Sequence, residues 1–283
     1  MRLLRQPPPD EKRTPAQLRE HYEVERELAA RLRRTSADER VGLYSVLYDE
    51  LYRRVPFHPR NTRKTDPLLA KGHLDEAMAL LGHFLKPDSV YLEIGPGDCG
   101  LTLHVSSQVK QAYAVDVSKE ASKHIQLPSN MKLVISDGKS IDVPPNTITV
   151  AYSTQLMEHI HPDDALEHLR NIVRSLASGG VYICTTPNRL TGPHDISVYF
   201  DEVATGMHMR EYTASELVAL FRGVGFSGVR TYIGIKGKYF RFPLGVIVGA
   251  EKCVSVLPHL IRAHVVTLPV IRRLLCVSVV GIK

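Results

Sequence analysis

The stretch Glu93-Ile-Gly95-Pro-Gly97-Asp-Cys-Gly100 decides how the rest of the chain is read. It follows a short β-type run, Ser89-Val-Tyr-Leu-Glu-Ile94. Glycines at such a junction let the backbone turn sharply and come close to a ligand. Four more runs of the same kind follow: Gln111–Asp116, Lys132–Asp137, Thr147–Tyr152 and Val181–Thr185. Between the last two, Ala165, Leu166, Leu169, Val173 and Leu176 recur on one face of a helix from Pro162 to Leu176, ended by Gly179-Gly180. Strands alternating with helices at this spacing predict an α/β fold, a doubly wound and mostly parallel sheet with helices on both faces. Such sheets bind ligands outside the carboxyl ends of their strands, where the strand order reverses. Gly95–Gly97 and Ser153–His159 then form opposite walls of one cleft.

The flanks read differently. Thr14-Pro15 is an N-cap with proline at the first helical position, opening a charged helix to Arg34. Ser36-Ala-Asp-Glu39 has the capping-box spacing and is expected to open a second helix through Leu43, Val46, Leu47 and Leu51. A basic, proline-punctuated connector at 55–67 leads to a third helix on Leu69, Leu74, Met78, Leu81 and Leu85. Residues 188–212 are long for an ordinary connection, as lids and binding loops are. Thr213-Ala-Ser-Glu216 is another capping box, and Val229 to Ile235 a late strand. The expected organisation is an N-terminal helical cap (1–85), a core (86–238) with a lid insertion (188–212), and a C-terminal extension (239–283).

With 283 residues, 43% hydrophobic and 23% charged, the chain is an ordinary globular one, which excludes disordered and fibrous classes. Cys99, Cys184, Cys253 and Cys276 form no CxxC pair, which excludes a zinc ribbon and points to a reducing compartment. The N-terminus MRLLRQPPPDEKR has no signal-like apolar stretch, and no uncharged run approaches the roughly 18 residues of a spanning helix. The expected location is the cytoplasm. The formal charge of +6 is uneven: from Arg222 onward ten basic residues face one acidic residue, Glu251. A basic, apolar tail suits an anionic partner, including a membrane surface at the inner face. Packing on the body or in a homodimer contact is the competing reading.

Acidic residues end three of the strands or precede their loops: Glu93, Asp116 and Asp137. A carboxylate two residues before the first glycine repels a diphosphate, which weakens the dinucleotide reading of GxGxxG. The set suits a ligand carrying positive charge and sugar hydroxyls, as S-adenosylmethionine does. The sequence resembles the class I S-adenosylmethionine-dependent methyltransferases, in the branch that includes ubiquinone-biosynthesis enzymes. The resemblance spans roughly 85–235 and rests on EIGPG at 93–97, YAVDVS at 113–118, SDG at 136–138, STQLMEHI at 153–160, LASGGVYICTTPNR at 176–189 and the EYTASEL run from 211. It implies a Rossmann-like, seven-stranded sheet and S-adenosylmethionine as cofactor.

By the same resemblance, Glu93, Gly95 and Gly97 shape the loop around the methionine end. Asp116 takes the ribose hydroxyls, Val117 flanks the adenine, and Asp137, with Gly138 beside it, takes the adenine amine. Gln155 lies near the sulfonium. Three positions depart from the family pattern: Cys99 stands where the third glycine falls, Thr149 where the fourth strand often begins with Asp, and Gln155 where some relatives place a metal-binding glutamate. No metal is expected. His159 is the candidate base, its ordinary pKa near about 6.5 leaving it largely neutral; helix capping is the structural alternative. His161, His194 and His208 compete with it, His194-Asp195 as an oriented pair and His208 with Glu211 and Tyr212 as a lid fastener. The absence of an Asn/Asp-Pro-Pro-aromatic tetrapeptide excludes amino-methylating DNA enzymes. The expected acceptor is a small molecule, glycoside or lipid-linked compound. A nucleic-acid-modifying enzyme using the tail and Arg53 to Lys71, and a nicotinamide-dependent oxidoreductase, are the alternatives.

Overall fold

The computed structural model describes residues 3–9, 11–59, 67–118 and 126–283. The middle of the basic connector and of the Arg53 to Lys71 stretch lies outside them. The chain begins with helices α1 (Pro15–Arg34), α2 (Leu43–Arg54) and α3 (Pro67–Leu81). Then come β1 (Val90–Ile94), α4 (Gly100–Ser106), β2 (Gln111–Asp116), β3 (Met131–Ile135), β4 (Ile148–Thr154), α5 (Pro162–Ser175) and β5 (Leu176–Thr185). The lid follows, then α6 (Ala214–Gly223), β6 (Gly228–Ile235), β7 (Lys238–Phe242), α7 (Leu244–Ser255), α8 (His259–Val265), α9 (Pro269–Leu275) and β8 (Val277–Ile282).

These strands form one sheet in the order β3-β2-β1-β4-β5-β8-β6-β7. The strands β1 to β5 run parallel, and β8 is antiparallel to both β5 and β6. The order reverses between β1 and β4, the switch point at which such sheets bind ligands. Apolar side chains bury on both faces: Leu92, Ala151, Leu169 and Tyr182 on one, Tyr91, Ala114, Val150 and Ile183 on the other. This is the Rossmann-like, doubly wound arrangement expected, with eight strands in place of seven.

The additional strand corrects the reading of 239–283 as an extension. Lys236-Gly237, both with positive φ (51° and 74°), turn the chain from β6 into β7. Residues Val277–Ile282 then enter the interior of the sheet, where Val279 and Val280 are fully buried. A strand paired on both sides and covered on both faces reads as a continuous apolar run. Such a run looks the same in sequence as an interfacial segment.

The N-terminal cap is smaller than expected and joined to the lid. Ala77, Leu80 and Leu81 of α3 pack into the sheet's own core. Helices α1 and α2 share one cluster with Met207 and Met209 of the lid, and Leu18 and Tyr22 another with Ile196, Tyr199 and Phe200. At Ser36 the expected capping box forms by half. Glu39 accepts the Ser36 N–H (2.7 Å), but the Ser36 hydroxyl donates to that carboxylate and does not accept the Glu39 N–H. The chain therefore turns on, and α2 starts only after Gly42, whose φ is 74°.

Candidate active site

Backbone geometry shapes the first wall. Gly95 and Gly97 have φ of 71° and 59°, the left-handed region that glycine enters at little cost. Cys99, standing where a third glycine falls, keeps the same conformation at φ 58° and leads into α4. Its side chain is fully buried, and burial pushes the thiol up to about 12, so it is packing and not a nucleophile. The Gly95 N–H donates to the Val115 carbonyl (2.8 Å), tying the loop to β2. A Cβ on Gly95 would stand 3.1 Å from Leu156, so the loop after β4 packs directly against the glycine loop. The two walls meet as the topology requires.

Acidic groups converge here. Asp116 accepts the Gly97 N–H through Oδ2 (3.2 Å) and the Ser118 N–H through Oδ1 (3.0 Å), holding the loop beside the end of β2 where Val117 follows. Glu93 is 4% exposed and accepts the Thr102 hydroxyl (2.5 Å). Burial raises its carboxyl to about 7; Thr102 opposes this, and the negative charges of Asp98 and Asp116 add to the rise. The charges of Asp98 and Asp116 thus raise the cost of a charge on Glu93, which a cationic ligand relieves and a diphosphate worsens.

Asp137 and Gly138 are also tied into the chain itself. Asp137 Oδ1 accepts the N–H groups of Lys139 (2.8 Å) and Ser140 (2.7 Å). Burial pushes this carboxyl up, but those bonds outweigh it and the net shift is down. The Asp137 carbonyl accepts the Gly42 N–H (3.0 Å), and a Cβ on Gly138 (φ 99°) would meet the Tyr44 ring at 2.5 Å. Gly138 is therefore needed by the closing cap. Gln155 is exposed at φ 52°, its N–H bonded to the Thr185 carbonyl (2.9 Å).

Cap and lid build the second half of the site. A series of rings runs along it: His58 to Tyr52 at 5.1 Å, Tyr52 to Tyr48 at 6.1 Å, Tyr48 to His159 at 5.9 Å and His159 to His208 at 4.8 Å. Nδ1 of His159 faces the Met207 carbonyl at 3.0 Å. With Nδ1–H donating there, Nε2 is the basic nitrogen. The neighbouring helix α5 is capped by the His161 side chain instead, through the Asp163 N–H (3.3 Å), so His159 is not the helix cap. The Met207 N–H in turn donates to Glu25 Oε2 of α1 (3.1 Å).

Two neighbours complete the surroundings of His159, and one of them, His208, fastens to Glu211 as its sequence reading expects. Glu158 is fully buried, accepts the Thr186 hydroxyl through Oε2 (2.6 Å), and has no hydrogen-bond partner at Oε1 among the described residues. Burial raises its pKa, partly offset by His208. Burial pulls His208 down, but Glu211 (2.7 Å from Nδ1), Glu158 and Asp195 outweigh it and hold the imidazole above its ordinary value. His194 turns to Glu211 as well (3.2 Å) and forms no pair with Asp195, which binds the N–H groups of Ser197 and Gly206. The nearest sequence signal for this cluster is the length of the lid, which brings His208 back over Glu158.

Glu158, His159 and His208 offer ligand atoms within 4.8 Å of one another, as do His21, Glu25 and His58. The second set is satisfied without an ion. Arg13 donates to His21 Nδ1 (2.6 Å), so Nε2 carries the proton given to Glu25 (2.8 Å).

Comparison with known proteins bears on the family and the fold. A methyltransferase-domain family matches residues 66–231. Among curated proteins, none matches the chain by sequence. Among solved structures, an S-adenosylmethionine-dependent methyltransferase from Archaeoglobus fulgidus is similar at 16% identity and a TM-score of 0.51, over 75% of this chain and 94% of that one. A phosphoethanolamine N-methyltransferase from Haemonchus contortus, solved with S-adenosyl-L-methionine, is similar at 15% identity and a TM-score of 0.50, over 74% and 52%. At these identities the likeness is one of fold. The chain belongs to the methyltransferase-domain family and is an enzyme of the class I, S-adenosylmethionine-dependent group. The matches support that class and single out no branch of it.

Proposed function

We propose that the chain holds S-adenosylmethionine across the Gly95–Gly97 loop and Asp116, and passes its methyl group to a nucleophile of a small-molecule or lipid-linked acceptor. The acceptor lies between α2 and the lid, and His159 takes its proton. The observation that carries the cofactor assignment is Glu93, a buried carboxyl raised to about 7 by burial and by the charges of Asp98 and Asp116. A bound α-ammonium and sulfonium would lower that cost. When bound, the cofactor supplies a methyl group already activated on cationic sulfur. What is left to the chain is alignment, exclusion of water and a proton acceptor. Alignment of two bound reactants lowers a barrier by about 7–11 kcal/mol. Tyr48 and Tyr52 close the acceptor side, and the Met207 carbonyl keeps Nε2 of His159 basic.

Calorimetry with S-adenosylhomocysteine tests the site. Asp116→Ala removes the carboxylate that braces Gly97 and faces the ribose, and is expected to weaken binding by about 2–4 kcal/mol, roughly 30- to 1,000-fold. His159→Asn is expected to leave that affinity intact and to lower turnover. Undiminished affinity in Asp116→Ala, or NADH binding in preference to the adenosyl ligand, would remove the assignment.

A further inference from the structure

Between Lys252 and Lys283 the chain has no Asp or Glu. Helices α8 and α9 lie within this segment, and together with the turns that flank them they have an inward and an outward side. Val265, Val266, Ile271 and Leu275 turn inward, packing with Val254 of α7 and with Leu190 at the root of the lid. Val256, Leu260, Ile261, Leu268 and Val270 turn outward, each more than half exposed. Aliphatic side chains scattered singly on a surface need no explanation, but five so exposed within fifteen residues of chain call for one.

Charge accompanies these side chains. Lys252, Arg272 and Arg273 are exposed and Arg262 is half-buried. No carboxylate among the described residues forms an ion pair with any of the four. The one acid of the region, Glu251, is 4% exposed and turned inward, where it accepts the Asn188 side-chain amide (2.9 Å) and the N–H groups of Ala214 (2.7 Å) and Ser215 (3.0 Å). The outer face is therefore apolar and positively charged, with its negative group withdrawn. No helix among the described residues is long and apolar enough to cross a membrane, so this chemistry belongs to a surface contact.

We propose that the outer face of α8 and α9 docks the enzyme on an anionic lipid bilayer, with Val256, Leu260, Ile261, Leu268 and Val270 entering the headgroup boundary and Arg272 and Arg273 meeting lipid phosphate. The place in the fold gives the contact a use. Strand β8 begins opposite Thr185, the end of β5 that feeds the lid, so the docking helices rejoin the sheet at the rim where the glycine loop opens. Through Leu190 they touch the base of the lid itself. The docking surface stands independently of the methyl-transfer reading. Its consequence, that the acceptor is drawn from the bilayer, rests on that reading.

Flotation of the full-length protein with phosphatidylcholine vesicles, and with mixed phosphatidylcholine–phosphatidylglycerol vesicles, tests the proposal. Binding is expected to the mixed vesicles only, and to weaken as salt is raised. Each basic residue at an anionic surface contributes about fivefold, so the double variant Arg272→Glu, Arg273→Glu is expected to lose binding by at least roughly 25-fold. Leu260→Ser, Ile261→Ser is expected to lose binding while keeping the same thermal midpoint. Both variants should keep the wild-type affinity for S-adenosylhomocysteine. Absence of flotation, equal flotation on neutral vesicles, or unchanged flotation in the arginine variant overturns the proposal. So does tighter binding to polyuridylate than to vesicles, or a dimer that the leucine variant dissociates while flotation is unaffected. If the wild type floats but binds no S-adenosylhomocysteine, the methyl-transfer reading fails and the docking surface stands.

Discussion

Replacing Arg40 by alanine tests what holds the cap over the site. Arg40 is 1% exposed and clamps Asp164 of α5 with two bonds, Nε to Oδ2 at 2.6 Å and Nη2 to Oδ1 at 3.0 Å. It also donates to the Thr35 carbonyl at the end of α1. Tyr44 of α2 reaches the same carboxylate (3.2 Å), and Lys139 stands 3.3 Å from it. Removing one partner of a buried ion pair leaves the other charge uncompensated, which costs about 3–5 kcal/mol. Lys139 remains beside Asp164, so the lower end applies, about 3 kcal/mol. For a chain of this size that lowers the thermal midpoint by on the order of 6–12 °C. Urea unfolding followed by circular dichroism measures the loss at neutral pH. The double variant Arg40→Met, Asp164→Leu is expected to recover most of it, since a buried pair replaced by apolar groups of similar size is often neutral. The pH dependence has a definite sign. Burial pushes Asp164 up, but Arg40 and Lys139 outweigh it and lower its pKa. The pair's stability is present above the unfolded carboxylate pKa and is lost as pH falls through the lower folded value, so wild type and Arg40→Ala converge in acid. A loss below about 1 kcal/mol, or a double variant no better than Arg40→Ala, would refute the clamp.

Two further outcomes concern buried histidines and the lid. His168 is 3% exposed with both ring nitrogens unpartnered among the described residues, and burial alone pushes it down to about 4. The unfolded chain takes up its proton near pH 6.5, so stability falls by about 2 kcal/mol between pH 7.5 and 5. His168→Leu is expected to abolish that loss in urea titrations, and an unchanged slope would count against it. Glu211 is pushed up by burial but brought down to about 2 by His194 and His208. Glu211→Gln should cost about 2–3 kcal/mol at pH 7 and less as pH falls from 4 towards 2. Equal losses at both ends of that range would remove the ionic account of the lid fastening.

Legibility in the sequence followed the range of the forces involved. Strands β1 to β5 and their glycine loop were readable because period and turn chemistry act over a few residues. Thr14 caps its helix with proline behind it, and Thr213 caps its own with the reciprocal bonds that its spacing implies. Ser36 has the same spacing and fails, because its hydroxyl finds the Glu39 carboxylate and Gly42 turns the chain towards Asp137. Strand β8 was hidden for another reason: its partners, β5 and β6, lie far back in the chain, and nothing local separates a buried strand from an interfacial segment. The same holds for Gly138, whose reason is Tyr44 of the cap, and for Glu158, His159 and His208, assembled only when the lid folds over.

Met207 has a consequence for the order of events in a catalytic cycle. Its own N–H is held by Glu25 of the first helix, and its own carbonyl orients His159. A movement of the first helix therefore pulls on the same residue that orients the His159 ring. On the proposed mechanism, a half-open enzyme has its base out of line with the acceptor, so proton transfer waits for enclosure.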